Sequence, residues 1–334
     1  MTEQCSPCKQ LHIFEYSNNV KIIIHIDSLA LGNAIGGTRM LPYDSVESAI
    51  QDVKKLSSAM SLKAAIHGLN QGGGKCVIFN PEKLHFNEIA PLYTSALNQL
   101  AGSFIAANDM GISIKMINDI RHLSPFLISS NQLIDDPSYF TALGVFHCIQ
   151  YITKNHLDTT IPNIKIQGLG RSGAPLCKML LDSGFKVSAY DIKVSHVEQF
   201  KKHPNFSALD ETNWFSLPCD IFAPCASGNV ITNSNVHLIN SKFVCGTANN
   251  PCENMAVINT LHSHHIQFIP DFVSNGGGLI YAAGTYHQLS RKEIIDKIKN
   301  IPKLISKLSC SSSNMYVNAL SIANEKISSF VNES

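Results

Sequence analysis

The chain has 334 residues, 26 Lys and Arg against 25 Asp and Glu, 44% hydrophobic residues and 15% charged ones. That balance excludes disordered and collagen-like chains, and a net charge of +1 gives no bulk reason to expect nucleic acid or a membrane surface as partner. At roughly 150 residues per domain, two domains with separate cores are expected, with a cleft between them.

The opening segment MTEQCSPCKQLHIFEY has neither the apolar run nor the cleavage site of a secretory signal, and no later stretch reaches about 18 apolar residues, so a cytoplasmic location is expected. Ten cysteines scattered through segments such as KCVIF and FVCG read as reduced, buried small hydrophobes. Cys5 and Cys8 form a CxxC, but a zinc site needs a second ligand pair. No second CxxC exists, and His262, His264 and His265 lie in a polar connection, so no metal is assigned. The β-branched run at 20–28 predicts a strand. Val46, Ala49, Ile50, Val53, Leu56 and Met60 predict an amphipathic helix over 45–60. A glycine-rich turn then leads to a buried strand at 76–79, and helical spacing returns over 86–100 despite Pro91.

A second pattern follows the turn region 131–138, with a helix over 141–155 and a strand in IPNIKIQG. Strand, glycine turn, helix (174–183) and strand (186–190) then repeat the rhythm of a parallel, doubly wound sheet, continued by DIFAP, KFVCG and IQFIP. Near the C-terminus, Ile294, Ile295, Ile298, Ile301, Ile305 and Leu308 form one apolar stripe and Leu320, Ala323 and Ile327 another. The expected fold class is α/β in two domains. An N-terminal α/β domain over 1–135 precedes a Rossmann-type domain over 140–285, and helices over 286–334 pack back at least partly on the first.

IKIQGLGRSGAPL places Gly168, Gly170 and Gly173 between a predicted strand and a predicted helix. The first glycine permits the tight turn, the second lets backbone approach a pyrophosphate, and the third lets the helix pack on the sheet. Unpaired N–H groups at the helix N-terminus face the phosphates. Asp191 closes the next strand at roughly the 20-residue spacing of an acid that accepts from ribose hydroxyls, which favours NAD over NADP. It reads otherwise as a solvated strand end, and Lys193 lies beside it.

In the first half, MSLKAAIHGLNQGGGKCVIF sets Lys63 and Lys75 around a glycine run. Glycine removes covering side chains, so a lysine there is placed in a cavity, against the alternative of a surface turn. From AIGGTRM, this lysine segment, AANDMGIS, TALGV, GLGRSG, APCA, GTANN and PDFVSNGGG, in this order, the chain resembles the glutamate/leucine/phenylalanine/valine dehydrogenase superfamily, most of all its leucine dehydrogenase branch.

The resemblance implies that Lys63 holds a substrate α-carboxylate, that Lys75 is the catalytic lysine that activates water, and that Asp109 exchanges a proton with the amino group. It implies substrate contacts at Gly36, Gly37 and Met60 and an apolar side-chain pocket at Ile35, Ala107 and Val273. Thr141 and Asn249 match positions around the nicotinamide half of NAD, Asn275 is a further cofactor-binding position, and Ala223, Pro224 and Cys225 match the loop over the sheet edge. Thr141 reads equally as a helix cap, Asn249 as a turn residue, and Arg39 as a structural ion-pair partner outside the site. The first domain is then the substrate-binding and oligomerisation domain of a homo-oligomer. Asn108, Ile112, Arg171 with Ser172, and the segment Tyr281 to Thr285 depart from the family pattern.

The implied activity is NAD-dependent, reversible oxidative deamination of an L-amino acid to its 2-oxo acid and ammonia. Glutamate dehydrogenases carry a lysine before the paired glycines, where this chain has Ile35, so leucine, valine, isoleucine or phenylalanine is expected over glutamate. Two alternatives are a non-catalytic NAD-binding relative and a biosynthetic dehydrogenase of an aromatic or unusual amino acid.

Overall fold

The computed structural model describes residues 2–6, 9–16, 19–128, 136–212, 214–226, 228–309 and 314–331. Cys8, Cys310, the Cys5 side chain and most of the 131–138 turn region lie outside the described residues. The chain divides into two compact units. The first comprises Met1–Asp135, Ala282–Ser290 and Ile322–Ser334, and the second Asp136–Tyr281 and Arg291–Ser321.

The first unit contains strands β1 (Thr2–Ser6), β2 (Lys9–Glu15), β3 (Lys21–Ser28), β4 (Ala34–Arg39), β5 (Gly72–Phe79) and β6 (Phe104–Asn108) in one mixed sheet of order β1-β2-β3-β5-β4-β6. β3 pairs antiparallel with β5, while β4 runs parallel to both β5 and β6. Helix α1 (Val46–Ile66) covers one face, starting at a capping box between Ser45 and Ser48. It is longer than the expected 45–60, so Lys63 lies in its last turn. The small buried residues Ala49, Ser57, Ser61, Ala64 and Ala65 let it approach closely.

The glycine run read as a turn is strand: Gly72, Gly73 and Gly74 are ladder residues of β5. A Cβ on Gly73 would collide with the backbone and hydroxyl of Ser61, so the glycines admit a helix to the sheet surface. Helices α2 (Phe86–Gln99) and α3 (Ile114–Ile120) pack into an apolar core containing Ile22, Ile24, Ile78, Tyr93, Phe104 and Ile112. The returning segments are tied into this unit by a 2.6 Å hydrogen bond between the Gln71 amide and His287 Nε2 and by Lys326 Nζ donating to Ala65 O at 3.1 Å.

The second unit opens with α4 (Pro137–His156) and builds a parallel sheet from β7 (Asn163–Gln167), β8 (Lys186–Tyr190), β9 (Phe206–Ala208), β10 (Ile221–Pro224), β11 (Phe243–Val244) and β12 (Gln267–Phe268). The order β12-β11-β10-β7-β8-β9 reverses direction between β7 and β10, the topological switch point of a doubly wound sheet, where such folds bind ligands. Its connections include α5 (Gly173–Asp182), α6 (Val194–Glu198), α7 (Met255–Ser263) and α8 (Asp271–Ser274). Helix α9 (Gly277–Tyr286) runs from residues of the second unit into residues of the first, followed by α10 (Arg291–Lys299), α11 (Pro302–Leu308) and α12 (Met315–Val331). Ile294, Ile298, Ile301, Ile305 and Leu308 are all buried, so the expected stripe of α10 and α11 has its partner within the second unit. No helix among the described residues is long and apolar enough to cross a membrane.

Candidate functional site

Strand alternation assembles the first group of residues. Ile35, Gly37 and Arg39 share one face of β4, and the register sets Gly37 opposite Ala107 of β6. On β5, Gly73 and Val77 face α1 through Ser61 and through the cluster with Ala49 and Val53, so Lys75 between them points to the same side. Asp109 follows β6 in a tight turn closed by Ile112 N donating to Asp109 O at 3.1 Å. Gly111 makes that turn possible: its φ is +81°, and a Cβ there would collide with Met40 O.

Lys75 Nζ lies 2.6 Å from Asp109 Oδ2, and Arg39 Nε donates to the same oxygen at 3.2 Å. The Lys75 side chain is 9% exposed and that of Asp109 24%. Burial alone would raise the Asp109 pKa, but Lys75 and Arg39 outweigh it and hold the carboxyl down at about 2. A Cβ on Gly37 would sit 2.8 Å from Asp109 Cβ and 3.2 Å from Lys75 Nζ, so glycine keeps the space over the ion pair clear. Lys63 is buried in the last turn of α1, one turn beyond half-buried Met60. Ile35 is 1% exposed, and Ala107 is half-buried. Gly36 is forced by packing, since a Cβ would collide with Gly74 O.

The sequence reading missed three members of this network. Arg39, set aside as a structural partner, pairs with Asp109 itself, and its Nη1 donates to Asp52 Oδ2 at 2.9 Å. The Tyr43 hydroxyl donates to the same Asp52 oxygen at 2.6 Å. The alternation of Ile35, Gly37 and Arg39 was the available signal for Arg39. Asp52 and Tyr43 had none, because neither belongs to a motif.

In the second unit, the three glycines play separate parts. Gly168 has φ +94°, and a Cβ there would lie 2.6 Å from Ala226 Cβ, across the β7/β10 switch point. A Cβ on Gly173 would fall on the Gly168 carbonyl, so α5 can pack only with glycine. A Cβ on Gly170 meets nothing within 4 Å among the described residues, leaving open room beside the start of α5. Asp191, directly after β8, is no solvated strand end: its side chain is 9% exposed, Oδ2 accepts from Leu169 N at 2.6 Å and Oδ1 from Lys193 N at 2.8 Å. Burial works against its charge, but these two amides and His196 outweigh that and lower its pKa. Arg171 reaches Asp136, the cap of α4, at 3.0 Å, and Ser172 hydrogen-bonds Thr247 at 2.8 Å, so both departures in the glycine turn are tied down.

Thr141 is not a cap, since Asp136 occupies that place; its hydroxyl donates to Pro137 O at 3.2 Å. Asn275 is buried beside α8, with Nδ2 donating to Asn249 Oδ1 at 3.0 Å. Its Oδ1 has no hydrogen-bond partner among the described residues, an orphaned acceptor of the kind a ligand amide satisfies. Ala223 and Pro224 belong to β10 itself and not to the loop beyond it, and Ala223 is fully buried. Cys225 follows directly, and burial pushes its thiol up to about 11, so it carries no thiolate chemistry. Val273 is fully buried in α8 of the second unit. The open room at Gly170, the helix N-terminus, Asp191 and the orphaned Asn275 oxygen fit a dinucleotide.

The glycine loop separates ligand binding from folding. Gly170→Ala is expected to leave the melting temperature within about 1 °C while weakening NAD binding at least tenfold. Gly173→Ala is expected to cost about 2 kcal/mol of stability, because the backbone must move. Calorimetry and a fluorescence titration of each variant with NAD check both.

The dimerisation-domain model of Glu/Leu/Phe/Val dehydrogenases matches residues 16–122, and the Glutamate/Leucine/Phenylalanine/Valine dehydrogenase model matches residues 186–331. Leucine dehydrogenase of Bacillus cereus is 31% identical over 326 residues, covering 94% of this chain and 89% of that protein. Valine dehydrogenase of Streptomyces virginiae is 33% identical over 278 residues, covering 80% and 77%. Among solved structures, L-tryptophan dehydrogenase from Nostoc punctiforme superposes with a TM-score of 0.80 at 27% identity, covering 97% of each chain.

Proposed function

We propose that this chain, which belongs to the glutamate/leucine/phenylalanine/valine dehydrogenase family, catalyses the NAD-dependent, reversible oxidative deamination of an apolar L-amino acid to its 2-oxo acid and ammonia. The observation that carries this is the ion pair of buried Lys75 with half-buried Asp109, at 2.6 Å under the space kept clear by Gly37.

In this reading the Lys63 ammonium holds the substrate α-carboxylate. Asp109 takes a proton from the substrate ammonium, freeing the nitrogen lone pair that assists loss of hydride from Cα. When bound, NAD supplies the hydride acceptor. Lys75, acting as the neutral amine, then removes a proton from a water as its oxygen bonds to the imine carbon; Asp109 gives its proton to the nitrogen of the carbinolamine, and the C–N bond breaks as the O–H becomes C=O, its proton leaving with the nitrogen as ammonium. With the Lys75 and Arg39 cations beside it, Asp109 is a weak base. Gly168, Gly170, Gly173 and the α5 N-terminus would hold the pyrophosphate, Asp191 the ribose, and Thr141, Asn249 and Asn275 the nicotinamide half. Two oxygens offer about four acceptor sites, so Asp191 keeps capacity for ribose hydroxyls beyond its two amides, and its charge opposes a 2′-phosphate.

Ile35 favours a leucine-like side chain over a carboxylate. An aromatic amino acid is the second reading, favoured by the L-tryptophan dehydrogenase likeness along the whole chain. The match of the dimerisation-domain model supports self-association through the first unit. The test is a product balance on the purified protein. It is expected to release ammonia and 2-oxo acid one-to-one with NADH, and to use NADP poorly. NADH formed without ammonia contradicts the reaction, and equal use of both cofactors contradicts the role of Asp191.

A further inference from the structure

Beside the proposed pair runs a chain of side chains that the reaction as written does not use. Asp109 Oδ2 accepts from Lys75 and from Arg39, Arg39 is held by Asp52 at 2.9 Å, and the Tyr43 hydroxyl donates to that same Asp52 oxygen at 2.6 Å. Asp109 sits in a turn just past the end of β6, where nothing in the strand ladder fixes its side-chain torsions. Arg39 lies at the end of β4 and Asp52 within α1, so the carboxylate is braced from a strand and a helix at once.

We propose that Asp52 and Tyr43 are positioning residues of the amino-acid dehydrogenase reaction: through Arg39 they fix the Asp109 carboxylate against the Lys75 ammonium. The inference rests on the roles proposed above for Lys75 and Asp109. The guanidinium contributes what a lysine would not, a planar fork that spans two carboxylates in fixed directions. Burial opposes the Arg39 charge, but Asp109 and Asp52 outweigh it and hold the guanidinium above its ordinary value. Tyr43 keeps Asp52 from turning away from the fork. The charged groups acting on Asp109 are Lys75 of β5 and Arg39 of β4, and those acting on Arg39 are Asp109, Asp52 of α1 and Tyr43. Two cations and two carboxylates balance, so removing the Asp52 charge leaves an uncompensated positive charge beside the reacting pair. Tyr43 also lines a surface cavity of about 450 Å³ with Met40, Phe79 and Leu84, so the brace reaches the edge of the fold.

The experiment compares kcat, KM and the pH profile of kcat for wild type, Asp52→Asn, Asp52→Glu, Tyr43→Phe and Arg39→Lys, each normalised to sites counted by NAD titration. Asp52→Asn is expected to lose about thirtyfold in kcat with little change in KM, as misplacement of a reacting group does. Its acidic limb is expected to move down by about half a pH unit, because excess positive charge makes nearby protons easier to lose. Asp52→Glu keeps the charge and returns the limb to its wild-type position. Arg39→Lys keeps the charge but loses the fork, so kcat falls with the limb unmoved. Tyr43→Phe, the mildest change, is expected to lose about threefold in kcat with the limb unmoved. Variants whose kcat per NAD site equals wild type, or an Asp52→Asn limb that does not move, overturn the positioning role while the proposed reaction stands. A wild type that turns over no amino acid overturns both.

Discussion

Lys75→Ala is expected to lower kcat by at least about a thousandfold while NAD binding stays within about twofold of wild type. The asymmetry follows from the architecture: Lys75 belongs to β5 of the first unit, and the residues assigned to the cofactor belong to the second. Removing the ammonium takes away the group assigned to activate water. It also leaves Asp109 with Arg39 as its remaining cationic partner, so its pKa rises from about 2 toward the ordinary carboxylate range. Lys63→Ala is expected to act differently, raising KM more than it lowers kcat, because that ammonium is assigned to ground-state binding. Stopped-flow kinetics and NAD titration on both variants separate the roles. Near-normal turnover in Lys75→Ala contradicts the catalytic assignment.

Ile35→Lys is expected to lower kcat/KM for leucine by about a hundredfold, since an unpaired ammonium in an apolar site costs several kcal/mol. Ile35 is 1% exposed on the face of β4 that carries Gly37 and Arg39, so the new charge enters the interior near Lys75 and Asp109. Glutamate brings a distal carboxylate that partners the new lysine, so its kcat/KM is expected to rise as that of leucine falls. The measurement is kcat/KM for leucine, phenylalanine and glutamate in both proteins. Unchanged preference in a folded variant removes Ile35 from the substrate pocket.

The second unit was the more legible in the sequence. Its rhythm of strand, glycine turn and helix predicts a doubly wound sheet, and the strand expected at 186–190 coincides with β8. Each fingerprint glycine also has a separate steric reason, which is why three residues at fixed spacing carry so much information. The first unit was harder because its signals are non-local. Gly72, Gly73 and Gly74 read as a turn by propensity, yet they are strand because β3, β4 and α1 crowd them from three sides. Likewise, Ile112 departs from the family pattern and turns out to be buried core, 1% exposed, where an apolar side chain is accommodated. Lys75 and Asp109 stand in separate motifs and were named from family resemblance. Only β4, pairing with β5 on one side and β6 on the other, explains why they meet. Arg39 was read as an ion-pair partner but not as one of Asp109, and Asp52 and Tyr43 escaped because an ion-pair network across separate elements leaves no period or spacing for them in the sequence.

The most direct measurement is a panel of L-amino acids presented with NAD to the purified wild-type protein, read as kcat/KM from NADH formation. Leucine, valine, isoleucine or phenylalanine is predicted to lead the panel, with glutamate at least a hundredfold lower, because Ile35 offers a distal carboxylate no partner. Glutamate in the lead, or no turnover with any amino acid, contradicts the account.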